Sequence, residues 1–220
     1  MVDIRIIQVS KYSDLKYVFD NDSLWLLYND CFSRPPYEET FTKKEVHELF
    51  DSYYANGVVL LCYDVKKNRL IGFAAALPLE CEKEVTDLMR SNGYEEEKVW
   101  YYADIGVDHD YRRNGIAKTM AEQIKDSVPP ETRALLMRTQ ENNIASRNCH
   151  LKVGYKPINN IIQVMQRKTK IGTPIIDRRI FLVYPFMNGW ERKDGEDVTT
   201  LRSGSKGQHI TERVSVHPMH

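Results

Sequence analysis

The sequence predicts a mixed α/β fold of the α+β kind, and three observations predict it. Strand-like segments alternate with helical ones along most of the chain. Two of the strands, "GVVLLCYDV" and "RLIGFAAALPL", are separated only by "KKN", a polar turn that suits an antiparallel hairpin. A third segment, "VWYYADIGVDHDYRRNGIAKTM", begins as a buried strand and ends as an amphipathic helix, with two arginines and a glycine at the joint.

The elements follow in order. "DIRIIQVS" alternates apolar and polar residues and reads as a strand, and "SLWLLYNDCF" and "TKKEVHELFDSYY" read as helices. The hairpin comes next. A charged segment, "ECEKEVTDLMRSNGYEEEK", then carries Val85, Leu88 and Met89 at helical spacing with Gly93 as a stop, which predicts an inserted helix around 81–92. Strand "VWYYADIGV" leads into helix "GIAKTMAEQIKDSV", halted by Pro129 and Pro130. Strand "RALLMRT", a helix from Asn143 to Val153 stopped at Gly154, and strands "YKPINNIIQVMQ" and "IDRRIFLVYPF" complete the series. From residue 188 the composition turns polar and rich in glycine, a tail in which "VTTLRS" and "HITERVSV" would form at most a marginal hairpin around "GSKG".

Composition narrows the function. With 220 residues the chain supports one generous domain with a real core. Lys+Arg and Asp+Glu number 31 each, so no global field points to nucleic acid or an anionic membrane surface. The longest apolar runs are too short for a membrane span, and the first residues lack the basic-then-apolar pattern of a signal peptide, so a cytoplasmic protein is expected. Cys31, Cys62, Cys81 and Cys149 are scattered, and the one close histidine pair, His217 and His220, lies in the last four residues, so no metal site is expected.

The chemistry concentrates at the strand-to-helix joint. Ile116, Met120, Ile124 and Val128 recur every four residues and give the helix one buried face. Its N-terminus is thereby held in place, and the unpaired amides of a first helical turn attract anions. Arg112 and Arg113 add charge, Gly115 permits close approach, and no acid occurs between Asp110 and Glu122. Gly106 removes a side chain where a bulge or a ligand's approach would need space. A solvated arginine pair with a helix-start glycine accounts for the same residues without a ligand. Neither G-x-x-x-x-G-K-[ST] nor G-x-G-x-x-G is present.

"DIGVDHDYRRNGIA" resembles the GNAT family of acyl-CoA-dependent N-acyltransferases, whose pyrophosphate-binding turn R-x-x-G-x-G/A matches Arg112-Arg113-Asn114-Gly115-Ile116-Ala117. "NIASRNCHLKVGY" resembles the family's N-x-x-A/S-x-x-x-Y-x-x-x-G-F/Y, with Asn143, Ser146, His150, Gly154 and Tyr155 in the matching places. The resemblance implies a single domain over residues 1–187 with a mixed, mostly antiparallel sheet of about six to seven strands, the 188–220 tail lying outside it. It implies acetyl-CoA as co-substrate, with the backbone of Ile105, Gly106 and Val107 pairing with the pantetheine arm and amides from Arg113 to Ala117 holding the pyrophosphate.

One departure stands out. His150 occupies the place where the family usually puts a tyrosine near the sulfur of CoA. Asn143, Ser146 and His150 share one helix face, a polar stripe that would meet the cofactor, and histidine would protonate the departing thiolate. A solvated face or a hydrogen-bonding histidine is the competing account. The acceptor amine must lose a proton before attack, and where the family often carries a Glu or His this chain has Tyr101 and Ala103. Asp104 and Glu141 are the remaining candidates for that base, directly or through water. Cys149 points about 100 degrees away from His150 and reads as a packed cysteine.

The acceptor wall is expected in "CFSRPPYEE", residues 31–39, with Phe32, Tyr37, Glu38 and Glu39, together with Tyr102 of the strand. An aromatic face beside two carboxylates suits a small cationic amine. An acetyltransferase acting on a protein or peptide, and a CoA-binding sensor without catalysis, remain as alternatives. A homodimer is left open.

Overall fold

The structure is a computed structural model that describes residues 2–168, 174–186 and 211–215. It divides into two compact units, Met1–Leu77 with Tyr102–Pro129, and Pro78–Tyr101 with Pro130–His220.

The first unit carries strands β1 (Ile4–Gln8), β2 (Val58–Asp64), β3 (Arg69–Pro78) and most of β4 (Val99–Val107), in the order β1-β2-β3-β4. β1 and β2 are antiparallel with Ile4 opposite Asp64, and β2 and β3 form the expected hairpin, with a register shift between Cys62 and Tyr63. Every residue of β2 is buried, as its unbroken apolar run requires. Three helices precede the hairpin: α1 (Tyr12–Asp20), α2 (Ser23–Phe32) and α3 (Lys43–Asn56). α3 starts at a capping box in which Thr42 accepts from the Glu45 amide at 3.2 Å while the Glu45 carboxylate takes the Thr42 amide at 2.6 Å.

α1 is not among the helices expected from the sequence. It follows β1 directly and its N-cap, Lys11, makes no side-chain cap, so nothing marks its start. Burial of Leu15, Val18 and Phe19, an i, i+3, i+4 set, holds it instead. α5 (Ile116–Ser127) buries Ile116, Met120, Ala121 and Ile124, the face its spacing predicts.

The second unit holds the inserted helix, α4 (Lys83–Ser91), as well as β5 (Ala134–Gln140), α6 (Ile144–Lys152), β6 (Lys156–Lys168), β7 (Pro174–Pro185) and β8 (Thr211–Ser215), with strand order β5-β7-β6-β8. β7 runs antiparallel to both β5 and β6. α4 buries Val85, Thr86 and Met89, and the Thr86 hydroxyl donates to the Leu79 carbonyl at 2.6 Å. β8 lies parallel to β6, Thr211 opposite Ile161 and Ser215 opposite Met165. The "VTTLRS" arm of the expected hairpin lies outside the described residues. The architecture is the mixed α/β fold with a mostly antiparallel open sheet that the element order predicts. Among the described residues no helix is long and apolar enough to cross a membrane, and no group of three or more His, Cys, Asp or Glu is placed to hold a metal ion.

Candidate active site

The joint between β4 and α5 has the geometry of an anion cradle. Arg113 has φ 65° and Gly115 φ 81°, so the chain turns through two left-handed residues before the helix begins. No heavy atom lies within 4 Å of the position a Cβ on Gly115 would occupy, and the first turn of α5 carries no acid. Asn114 holds the turn through bonds to the carbonyls of Tyr111 at 3.2 Å and Arg112 at 3.3 Å. The two arginines differ in role: Arg112 donates from Nε to the Val107 carbonyl at 3.1 Å, bracing the end of β4, so Arg113 is the residue of the pair not committed to that brace.

Gly106 answers to packing. A Cβ there would lie 2.3 Å from Cζ of Phe73 and 2.9 Å from Sγ of Cys31, so the missing side chain makes room for these two groups. Packing against Phe73 and Cys31 is thus a requirement at Gly106 that the sequence did not show. Burial pushes the Cys31 thiol up to about 12 against the opposing pull of the Arg112 charge, which removes it as a nucleophile.

The same face of β4 presents Asp104, two residues before Gly106. Tyr28 of α2 and Tyr53 of α3 both donate to its Oδ2, at 3.1 Å and 2.8 Å. Around them lies an aromatic basin: Tyr28 stacks on Phe73 with centroids 5.4 Å apart, meets Phe32 at 4.6 Å, and receives the edge of Phe41 at 4.9 Å. Tyr37 packs against Phe32 at 5.1 Å. Asn29 closes the 33–41 loop onto α2 by accepting from the Phe41 amide at 2.9 Å and donating to its carbonyl at 3.0 Å, and the Glu39 amide reaches the Phe32 carbonyl at 2.9 Å. Burial holds the Tyr28 hydroxyl well above the usual phenol range, and the charges of Asp104 and Glu39 push the same way, so Tyr28 stays protonated and donates. Tyr102, expected in the acceptor wall, is buried.

A separate cleft of about 370 Å³ opens between α2, the start of β3 and the turn after β4. Its acids Asp30 and Asp108 are paired with Arg34 and Arg69 at 2.6 Å and 2.5 Å.

In the second unit, α6 starts at Asn143, whose Oδ1 accepts the Ser146 amide at 3.0 Å. Asn143 and Ser146 are half-buried and His150 is 1% exposed, so the polar stripe sinks inward along the helix. Nδ1 of His150 lies 2.8 Å from the Ser146 carbonyl oxygen, and burial lowers the imidazole to about 4, the bond to Ser146 opposing. The ring is neutral at pH 7; since a carbonyl only accepts, Nδ1 carries the hydrogen and Nε2 is a lone pair. His150 meets Tyr155 edge-on at 5.2 Å. Glu141 forms an ion pair with Arg178 at 2.9 Å.

The acetyltransferase (GNAT) family profile matches residues 21–155, which include the joint, Asp104 and the stripe on α6. The chain belongs to the GNAT family. No curated protein sequence matches it significantly. Solved GNAT structures share its fold. An N-acetyltransferase from Staphylococcus aureus Mu50 is 17% identical with TM-score 0.59, covering 83% of this chain and 98% of its own. The diaminobutyrate acetyltransferase of Paenibacillus lautus, solved with L-2,4-diaminobutyric acid and coenzyme A, is 15% identical with TM-score 0.57 over 86% and 98% of the two chains. The ribosomal-protein-S18-alanine N-acetyltransferase of Escherichia coli is 14% identical with TM-score 0.57 over 83% and 94%.

Within this GNAT acetyltransferase, Tyr28 and Tyr53, the donors to the candidate residue Asp104, are what sequence reasoning missed. A signal existed: a tyrosine placed among leucines and phenylalanines on a buried helix face needs a partner for its hydroxyl, and Asp104 was already a candidate.

Proposed function

We propose that the protein is an N-acetyltransferase that transfers the acetyl group of acetyl-CoA directly to a primary amine of a small cationic molecule. The observation that carries this reading is Asp104, a carboxylate with two phenol donors, set in the aromatic basin of Tyr28, Phe32, Phe41 and Phe73. Aromatic faces and a fixed carboxylate together favour an ammonium over a neutral or anionic group. The acid-free first turn of α5, with its unpaired amides and the open space at Gly115, suits a pyrophosphate, and Arg113 adds positive charge at the same turn.

Acetyl-CoA supplies an activated thioester. Asp104 takes the proton of the bound ammonium, the neutral nitrogen attacks the carbonyl carbon, and the C–N bond forms as the C–S bond breaks. The sulfur leaves as the thiol with a proton from the attacking nitrogen, and Asp104 later returns its proton to solvent. Glu141, paired with Arg178, is the lesser candidate for this work.

The test is a mass-spectrometric screen of pooled amines with acetyl-CoA, run on the wild type and Asp104→Asn. Acetylated diamines or polyamines with the wild type and none with the variant support the reading. Preference for neutral peptides, or an Asp104→Asn enzyme of full activity, overturns it.

A further inference from the structure

We infer that Tyr111 is a positioning residue for the pyrophosphate turn, anchored through its hydroxyl to Asp64 and Lys67 at the tip of the β2–β3 hairpin, so that this hairpin helps to set the affinity for acetyl-CoA. The inference rests on the reading of the joint between β4 and α5 as the pyrophosphate site.

The anchor lies immediately ahead of the cradle. Tyr111 is buried, and its hydroxyl donates to Oδ2 of Asp64 at 2.7 Å while accepting from Nζ of Lys67 at 3.0 Å. The other carboxylate oxygen of Asp64 takes the amides of Lys66 and Lys67 at 2.9 Å and 3.1 Å, so one buried carboxylate both closes the hairpin turn and holds Tyr111 against it. The bond from Tyr111 keeps the Asp64 carboxyl below the usual carboxylate range, burial opposing, so the acceptor is an anion at pH 7 and the bond is charge-assisted. The ammonium of Lys67 also lies over the Tyr111 ring, 5.2 Å from its centroid. The same hairpin strand grips the turn at a second point, where the Asp108 amide donates to the Ile71 carbonyl at 2.9 Å and the Asp108 carboxylate pairs with Arg69. From Tyr111 the hold passes to the cradle through the backbone: its carbonyl accepts from Asn114 at 3.2 Å, and the left-handed residues Arg113 and Gly115 follow directly. Amides that must converge on an anion bind it less tightly when the ligand has to order their turn first. Packing would need only the ring of Tyr111. Its hydroxyl is what ties the turn to a second element.

The experiment measures acetyl-CoA binding to the full chain by calorimetry, which needs no acceptor amine. Tyr111→Phe keeps the ring and should bind acetyl-CoA about tenfold more weakly than the wild type. In a Gly115→Glu background, where the anion contact is already lost, the same substitution should change the affinity by less than about twofold, a coupling that a merely structural role would not produce. Lys67 is exposed, so its removal keeps the test open should Tyr111→Phe not fold: Lys67→Met should bind about threefold more weakly than Lys66→Met, which removes the same charge one residue away. Wild-type affinity in Tyr111→Phe, an equal loss in the wild-type and Gly115→Glu backgrounds, or equal affinities in the two lysine variants overturns the inference. If Gly115→Glu binds tenfold more weakly than Gly115→Gln while Tyr111→Phe binds as the wild type does, the pyrophosphate site stands and the anchor alone falls. Equal affinities in the Gly115 pair remove the pyrophosphate from this turn and the inference with it.

Discussion

Nδ1 of His150 donates to the carbonyl oxygen of Ser146, four residues back on α6, across 2.8 Å. That bond decides what the residue at the usual tyrosine position offers. Its remaining nitrogen is an acceptor, and with the imidazole lowered to about 4 by burial it gains a proton only in acid. The expectation that His150 protonates the leaving thiolate therefore reverses: His150→Phe, which keeps the edge contact to Tyr155, should retain kcat within about threefold. A fall of tenfold or more at pH 7, with acetyl-CoA affinity intact, would restore the proton to His150.

The same burial makes stability depend on pH. An unfolded histidine titrates near its ordinary 6.5 and the folded one near 4, so the unfolded state binds the proton first as pH falls. The contribution is fully present above about 6.5 and is lost progressively as pH falls towards about 4. Between pH 7 and pH 5 the wild type should lose about 2 kcal/mol more unfolding free energy than His150→Phe. Urea titrations of both proteins at the two pH values measure the difference, and parallel losses would refute it.

What the sequence made legible was whatever a local pattern determines. The joint at 112–117 was readable because helix periodicity, the absence of acids and Gly115 all lie within one short stretch. α4 was readable from Val85 and Met89 at helical spacing, although only the structure shows Thr86 tied to Leu79. The basin was not readable, because Tyr28, Tyr53 and Asp104 are 51 and 76 residues apart in their two pairings and meet only through tertiary packing. The packing at Gly106 was hidden for the same reason. Its neighbours in space, Phe73 and Cys31, cannot be counted along β4.

Gly106→Ala separates packing from ligand approach. The added Cβ would lie 2.3 Å from Cζ of Phe73, a ring that is fully buried and cannot swing out to water. Overpacking of this kind costs about 1–3 kcal/mol. Chemical denaturation should show that loss in the absence of any ligand. A variant as stable as the wild type would return Gly106 to the role of cofactor clearance.

At Gly115 the two effects can be divided by an isosteric pair. The φ of 81° makes any side chain costly, by about 1 kcal/mol, while the open space around the Cβ position means no clash. Gly115→Gln and Gly115→Glu share that strain and shape and differ in one charge at the start of α5. If the amides there hold an anion, the glutamate variant should bind acetyl-CoA about tenfold more weakly than the glutamine variant. Calorimetry measures both, and equal Kd values would move the pyrophosphate elsewhere.

Glu38 and Glu39 were expected to act together on the acceptor, and the structure gives them different surroundings. The Glu39 amide is bonded to the Phe32 carbonyl at 2.9 Å, and its charge contributes to holding the Tyr28 hydroxyl protonated, after burial and the charge of Asp104. Glu39 therefore lies within electrostatic reach of the basin. Glu38 sits at φ 55°, a left-handed turn residue beside it. For a cationic acceptor, Glu39→Gln should raise the acceptor KM about three- to tenfold and leave the KM for acetyl-CoA unchanged, while Glu38→Gln changes neither. Because the effect is electrostatic and partly exposed to solvent, it should shrink as salt rises from 0.05 to about 0.5 M. Equal acceptor KM values for wild type and Glu39→Gln at low salt, or a larger effect from Glu38→Gln, would show that the cation is recognised by Asp104 alone.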